Sequence, residues 1–330
     1  MTISFQRFTT TAGLLADEDV LPQMQRWQAQ GQRTALVTLV GVEGGAPRQA
    51  GAQMAVAEDG RYVGYLSGGC LEQAVALEAQ AAIAAGQNRL VRYGKGSPYF
   101  DIKLPCGSGL DLYFDQALGA ATVEVMIALR AERRPFALRT SLPRGESAVE
   151  AIAPEAPIEQ SRCEGDVFRR VYAPNLRLLL LGNGPTLAGM ASLAAATGIE
   201  LAIRSPDEAT RKELSGAGFR IFLDDAELDP AIDRLDFASA AILFFHDHEQ
   251  EPQLLARLLR TKCFYIGALG NHAVHRERVA ALAAQGFREE DLARIRAPVG
   301  SIGGAKSKAT LAIGALAEMM AEAKALNLVS

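Results

Sequence analysis

Two cysteines of this chain stand beside glycines, in patterns that suit contact with a metal or with a bulky ligand. Cys70 follows Gly68 and Gly69 at the start of a predicted helix over residues 70–85, where exposed N–H groups lower the pKa of a thiol. Cys106 precedes Gly107 in a second glycine-rich loop, and glycines beside a thiol permit close approach by a ligand. Single cysteines are commonly buried and inert, so that alternative stays open for both.

A third glycine loop, residues 44–48, ends in Arg48. Its backbone N–H groups and its guanidinium suit a phosphate or another oxyanion. We assign no role to the other cysteines, Cys163 and Cys263. No two of the four cysteines form a CxxC pair, which excludes a zinc ribbon and a thioredoxin-like site. Four cysteines in 330 residues are too few for a disulfide scaffold, so we expect free thiols in a reducing cytoplasm.

A turn of the type that binds nucleotides follows the apolar run at residues 176–181. Gly182 and Gly184 stand between this predicted strand and a predicted helix, whose N-terminus would attract a phosphate. Leu187 occupies the position of the third glycine in the usual G-x-G-x-x-G pattern. The alternative is a tight turn between strand and helix that binds nothing.

The next predicted strand ends in Arg204 followed by Ser205, a pair that suits a 2′-phosphate better than a bare 2′-hydroxyl. If the glycine turn holds a dinucleotide, these residues therefore favour NADP over NAD, although another phosphorylated ligand fits them equally. The alternative for Arg204 is a solvated residue at a strand end.

Two histidines, His246 and His248, follow the predicted strand at residues 240–245. In a parallel sheet, the carboxyl ends of the strands carry the ligand-binding groups. A His-x-His pair with acidic neighbours could bind a divalent metal, but no third ligand stands at a recognisable spacing. We therefore expect these histidines to contact a ligand or to cap a helix.

The elements that must position these residues fall into two halves. At about 150 residues per domain, 330 residues predict two domains, which we place at 1–173 and 174–330. The first half alternates short strands with turns and a few helices, which predicts an α+β domain. From residue 176 onward strands alternate with helices, which predicts a Rossmann-like, doubly wound parallel sheet. The predicted fold class is therefore α/β, with the α+β domain first.

Charge and hydropathy exclude two classes of partner. The chain has 34 Lys and Arg against 38 Asp and Glu, so it is not a generally basic nucleic-acid-binding protein. No apolar run approaches the roughly 18–20 residues needed to cross a bilayer, and the first residues lack the pattern of a signal peptide. We therefore expect a cytoplasmic protein that binds neither nucleic acid nor a membrane.

Six segments of the chain resemble the XdhC/CoxI family, the accessory factors of xanthine dehydrogenase. In the first half they read GVEGGAPRQAGAQMAV, GRYVGYLSGGCLEQAV and LPCGSGLDLYF, at 41–56, 60–75 and 104–114. In the second half they read FFHDHEQEPQLLARLL, CFYIGALGNHAVHRERVAAL and APVGSIGGAKSKATLAIGALAEMM, at 244–259, 263–282 and 297–320. Together they span nearly the whole chain in the order typical of the family.

The resemblance implies a chaperone that matures molybdenum enzymes. Such a protein binds the molybdenum cofactor, a pterin dithiolene that carries a phosphate. It protects the cofactor while a cysteine desulfurase exchanges the terminal oxo ligand for sulfur. It then helps to insert the cofactor into a molybdenum hydroxylase of the xanthine dehydrogenase type. The resemblance also implies a homodimer.

On this reading Cys70 and Cys106 contact the molybdenum end of the cofactor, while Gly182, Gly184 and Arg204 hold a nucleotide or a phosphate. The resemblance favours a non-catalytic maturation factor over an enzyme. Two alternatives stay open. One is an NAD(P)-dependent oxidoreductase that acts on a small substrate, with a proton donor from the histidine pair. The other is a regulatory partner that binds no cofactor.

Overall fold

The computed structural model describes residues 19–97, 107–222, 225–245 and 251–329. These residues form two compact units, and the chain passes from one unit to the other between Pro174 and Asn175. Each unit has its own apolar core.

The first unit contains two antiparallel sheets and three helices among its described residues. The five-stranded sheet has the order β3-β2-β1-β5-β4, and the four-stranded sheet has the order β7-β6-β9-β8. The elements are α1 (Leu21–Ala29), β1 (Thr34–Glu43), β2 (Gln53–Ala57), β3 (Tyr62–Val63), α2 (Glu72–Ala85), β4 (Arg89–Gly94), β5 (Gly109–Asp115), α3 (Ala120–Ala131), β6 (Phe136–Ser141), β7 (Glu146–Ala151), β8 (Arg162–Glu164) and β9 (Val167–Tyr172).

Strand β1 lies in the middle of the five-stranded sheet, and side chains on both of its faces are buried. Ala35, Val37 and Leu39 share one apolar cluster with side chains of α2. Leu36 belongs to a second cluster, together with side chains of α1, α3 and the four-stranded sheet. Successive side chains of a strand point to opposite faces, so this strand separates two cores and is apolar through most of its buried length.

The second unit contains one parallel sheet with the strand order β12-β11-β10-β13-β14-β15. Its elements are β10 (Arg177–Gly182), α4 (Gly184–Ala196), β11 (Glu200–Arg204), α5 (Glu208–Gly216), β12 (Ile221–Phe222), α6 (Asp225–Asp233), β13 (Ser239–Phe244), α7 (Glu251–Leu258), β14 (Tyr265–Ala268), α8 (His272–Ala283), α9 (Glu289–Leu292), β15 (Ile295–Arg296) and α10 (Lys308–Ala325). Counted within the unit, this order is 3-2-1-4-5-6, the order of the Rossmann fold. The predicted doubly wound parallel sheet is therefore confirmed.

The continuous apolar sequence of β10 reflects its central position in the parallel sheet. Its four leucines, residues 178–181, are fully buried, as expected for a strand that helices cover on both faces.

None of the helices in the described ranges combines the length and the apolar character that crossing a bilayer requires.

Candidate functional site

Two of the predicted glycine loops leave the five-stranded sheet side by side. Glu43, the last residue of β1, pairs with Gly109, the first residue of β5, in an antiparallel register. The loop after β1 and the segment before β5 therefore lie at the same end of the sheet. A Cβ atom added to Gly44 would lie 3.6 Å from the Cα of Ser108. The structure thus brings the loop of Arg48 next to the segment that begins at Gly107.

The loop that carries Cys70, residues 64–71 (the Cys70 loop), packs into one apolar cluster with these two segments, because Leu66 and Leu71 lie in the cluster with Leu110 of β5 and Ala46 packs against it. Strand β3 is antiparallel to β2, which is antiparallel to β1, so the chain leaves β3 after Val63 in the direction in which β1 ends. Gly64 passes so close to the start of β2 that a Cβ atom on it would lie 2.4 Å from the carbonyl oxygen of Gln53. Only glycine fits there, and its φ of +93° is left-handed.

The shape of the Cys70 loop depends on a side chain that the sequence reasoning missed. Glu72, only 2% exposed, accepts hydrogen bonds at Oε1 from the N–H groups of Leu66 (3.0 Å) and Ser67 (2.9 Å). Its Oε2 accepts from the Ser67 hydroxyl (2.9 Å) and from the N–H of Leu71 (3.1 Å). The Ser67 oxygen in turn accepts from the N–H groups of Cys70 (3.1 Å) and Leu71 (2.9 Å). One carboxylate therefore organises the whole turn.

The charge of Glu72 is stabilised where it lies. Burial by itself would raise the pKa of Glu72, but hydrogen bonds donated by the backbone N–H groups of Ser67 and Leu66 outweigh burial and lower it. The usual sequence signal for such a contact is a capping box with a spacing of three residues. Here the spacing from Ser67 to Glu72 is five, so that rule does not find it.

The predicted position of Cys70 in the first turn of a helix is wrong by two residues. Helix α2 begins at Glu72, and Leu71 is its N-cap. The preceding glycines, Gly68 (φ +84°) and Gly69 (φ +110°), have left-handed backbone conformations that no right-handed helix contains. Cys70 is nevertheless exposed. A Cβ atom on either glycine would meet no atom within 4 Å, so the loop is open beside the thiol.

The end of β1 and the start of β5 are held together by ion pairs. Arg92 donates to both oxygens of Asp111 (3.0 and 3.1 Å) and to the carboxylate of Glu43. Lys95 also contacts Glu43, at 2.7 Å. The hydrogen bond and charge of Lys95 lower the pKa of Glu43. Arg48, in the neighbouring loop, is half-buried.

Two further cysteines of the first unit are Cys106 and Cys163. Gly107 is exposed with open space around its Cα, but Cys106 lies outside the described residues. Cys163 on β8 is exposed, and its Sγ contacts the carbonyl oxygen of Val40 on β1 at 3.6 Å. Burial, followed by the charge of Asp111, raises the pKa of Cys163, so this thiol is protonated at neutral pH. Nothing in the sequence pattern pointed to its position beside β1.

The glycine turn of the second unit is explained by strand packing. Gly182 ends β10 opposite Phe244 of β13, at the place where the strand order of a Rossmann sheet reverses. A Cβ atom on Gly182 would lie 2.4 Å from the carbonyl oxygen of Phe244. This glycine is therefore required whether or not a ligand binds.

The N-terminus of α4 is engaged by the protein itself. The N–H of Gly184 donates to the hydroxyl of Thr210 (2.8 Å), and that hydroxyl donates to Asp207 (2.6 Å). Pro185, the next residue, has no N–H. Two of the first amide positions are thus unavailable for a pyrophosphate. The sequence did not predict this hydrogen bond, because Thr210 belongs to no recognised motif and lies 26 residues from Gly184.

The residues predicted to recognise a 2′-phosphate lie inside the unit. Arg204 is 7% exposed and Ser205 is fully buried. The alternative of a solvated Arg204 is therefore wrong, because β11 is an inner strand whose end is covered. As the residues lie, the site does not fit a dinucleotide held by the glycine turn and by Arg204.

The two histidines predicted to contact a ligand, His246 and His248, lie outside the described residues. Within the described ranges, no group of three or more His, Cys, Asp or Glu side chains suits a metal ion.

The fold combines an antiparallel α+β unit with a Rossmann unit, and the chain belongs to the XdhC and CoxI family. Residues 27–94 match that family, and residues 178–319 match the XdhC Rossmann domain. The chain is 37% identical to the molybdenum cofactor insertion chaperone PaoD of Escherichia coli, over 88% of this chain and 83% of that protein.

Two further similarities are found at lower sequence identity. The chain is 25% identical to a Bacillus subtilis protein described as a probable subunit of xanthine dehydrogenase, over 73% of this chain and 80% of that protein. A crystal structure described as a xanthine dehydrogenase from Bacillus halodurans superposes with a TM-score of 0.71 at 20% identity, and covers 92% of this chain and 96% of that chain. This last similarity shows the fold.

Proposed function

We propose that this protein binds the molybdenum cofactor and helps to insert it into a molybdenum hydroxylase of the xanthine dehydrogenase type. The observation that carries the proposal is the exposed thiol of Cys70 in an ordered glycine loop. This loop shares an apolar cluster with the loop of Arg48 and with the start of β5. Similarity to a molybdenum cofactor insertion chaperone, over nearly nine-tenths of the chain, supports the proposal.

The residues of these three segments fit the chemistry of such a cofactor. A thiolate is a soft ligand that suits a metal bound by sulfur. The glycines at 68, 69 and 107 leave open space in which a flat ring system can approach the backbone. A guanidinium such as that of Arg48 suits the phosphate of the cofactor. When bound in its client enzyme, the cofactor would supply two-electron redox chemistry; the residues of this chain would hold it and shield it.

Protection of the cofactor during sulfuration, with a cysteine desulfurase as partner, forms part of the same proposal. So do a homodimeric state and a cytoplasmic location. These elements rest on the family resemblance of the six segments.

An NAD(P)-dependent oxidoreductase is the competing function. The hydrogen bond from Gly184 to Thr210, the proline that follows it, and the burial of Arg204 all count against a dinucleotide at the expected position. Titration with NADPH and NADH decides this point, because tight binding of either nucleotide together with its turnover would replace the chaperone proposal.

The direct test is the molybdenum and pterin content of the protein purified from a host that makes the cofactor. The variants are Cys70→Ala and Cys106→Ala, and the matched control is Cys163→Ala, which removes a thiol on a different sheet. We expect near-stoichiometric cofactor in the wild type and in the control, and a large loss in Cys70→Ala. Wild-type protein without cofactor, or equal retention by Cys70→Ala and the control, would contradict the proposal.

A further inference from the structure

The buried carboxylate of Glu72 has no part in the function proposed above, and its surroundings are unusual. A charged group that is 2% exposed is costly unless hydrogen bonds replace its hydration. Each group that the structure places against its oxygens is a donor: the N–H groups of Leu66, Ser67 and Leu71, and the hydroxyl of Ser67. A carboxylate, which only accepts, matches this set.

We infer that Glu72 is a positioning residue, whose carboxylate sets the shape of the Cys70 loop and so determines how the thiol of Cys70 is presented. The link to the thiol runs through Ser67. Its oxygen accepts from the N–H of Cys70 while its O–H is turned toward Glu72. Removing the carboxylate therefore releases the serine, and with it the N–H of Cys70. The inference about the loop stands independently of the cofactor, whereas its consequence for cofactor retention rests on the proposed function.

The decisive variant is Glu72→Gln. Glutamine keeps the size of the side chain but replaces one accepting oxygen with an NH2 group. That group would face the N–H of Leu71 or the N–H groups of Leu66 and Ser67, so a donor would meet a donor. The matched control is Glu78→Gln on the same helix, where the carboxylate is paired with Arg89 at 2.7 Å and takes no part in the loop.

Amide hydrogen exchange resolved to single residues measures the effect. In Glu72→Gln we expect the N–H groups of Leu66, Ser67, Cys70 and Leu71 to exchange about 10- to 100-fold faster than in the wild type, because one accepting oxygen is lost and the hydrogen bonds that remain are no longer made to a charged group. The body of α2 and strand β1 keep their wild-type rates. In Glu78→Gln the four loop amides stay within about 2-fold of the wild type.

A second variant separates the two layers of the network. Ser67→Ala removes the acceptor of the Cys70 N–H but leaves the N–H groups of residues 66 and 67 bonded to Glu72. We expect exchange to accelerate at Cys70 and much less at Leu66, whereas Ser67→Thr, which keeps the hydroxyl, restores protection at Cys70. If Glu72→Gln does not fold, unchanged exchange at Cys70 in Ser67→Ala would overturn the inference, because the link from Glu72 to the thiol runs through Ser67.

Unchanged exchange of the loop amides in Glu72→Gln, or equal acceleration throughout α2, would overturn the inference. Cofactor content of the same preparations is measured in parallel. Loss of cofactor together with loss of loop protection extends the positioning role to cofactor binding. Full cofactor content with an unprotected loop removes that role. Absence of cofactor from the wild type rejects the proposed function, while the exchange rates still decide what Glu72 does.

Discussion

Replacing Gly182 with alanine should destabilise the second unit more than the same change at Gly184. At Gly182 a Cβ atom would lie 2.4 Å from the carbonyl oxygen and 2.5 Å from the carbonyl carbon of Phe244, and its φ is +137°. These atoms belong to the backbone of β13, which is hydrogen-bonded to β10 and to Asn183. They cannot move without loss of the sheet ladder.

The magnitude follows from two contributions. Overpacking costs about 1–3 kcal/mol, and a backbone conformation reserved for glycine costs about 1–3 kcal/mol, so Gly182→Ala should lose about 2–6 kcal/mol. Gly184 has a φ of +83° but no atom within 4 Å of the added Cβ. Only the cost of the left-handed backbone remains there, about 1–2 kcal/mol.

Thermal unfolding followed by far-ultraviolet circular dichroism measures the difference. For a unit of this size each kcal/mol lowers the midpoint by about 2–4 °C, so we expect a drop of roughly 5–20 °C for Gly182→Ala and a smaller one for Gly184→Ala. Trp27, the only tryptophan, is buried in the first unit, and its fluorescence shows whether this unit is folded in each variant. Equal losses at the two glycines would refute the argument from close approach.

Three further predictions concern charged and reactive groups. Arg278→Met should lower the free energy of unfolding by about 3–5 kcal/mol, because the buried carboxylate of Glu251 loses its ion pair at 2.6 Å. In urea unfolding, the double variant Glu251→Leu with Arg278→Met should lose less than Arg278→Met alone, and equal losses would contradict this reasoning. Alkylation at about pH 8 should modify Cys70 in the native protein but not Cys263, which is 4% exposed and whose pKa burial raises to about 11; mass spectrometry before and after unfolding detects the difference. Burial raises the pKa of Asp115, so the folded state binds this proton more tightly than the unfolded chain, and the free energy of unfolding falls as the pH rises above about 4, the ordinary pKa of aspartate. Asp115→Asn should remove that step, and an unchanged pH dependence would argue against it.

The proposed site lies in the loops of the first unit and not at the nucleotide-type turn, which is an unexpected division of roles in a chain with a Rossmann unit. The first unit offers an exposed thiol, open glycines and a guanidinium. In the second unit the first N–H of α4 is bonded to Thr210 and the end of β11 is buried. Loops can present groups to a ligand because they lie at the surface, whereas the turn after β10 is closed by its own neighbours.

Local patterns determined the fold class and the position of most elements. The alternation of strands and helices after residue 176 predicted the parallel sheet, because parallel neighbours need a crossover connection that a helix supplies. Helix α2 ends at Ala85, as predicted, and Gly86 follows it as the C-cap in a left-handed conformation. The glycine loops were recognisable as loops, and the six segments identified the family that the comparisons confirm.

Tertiary structure decided which of these loops work together. Gly44 and Ser108 are far apart in the sequence, and only the register of β1 with β5 shows that they are neighbours. The same holds for Gly184, whose N–H meets a hydroxyl from α5, 26 residues away. The partners of Glu72 are close in the sequence, but its hydrogen bonds depend on how the loop after β3 folds. A pattern in the sequence reports which groups a segment can offer. The partners that those groups meet come from other elements, and the register and packing of those elements set the distances on which hydrogen bonds and burial depend.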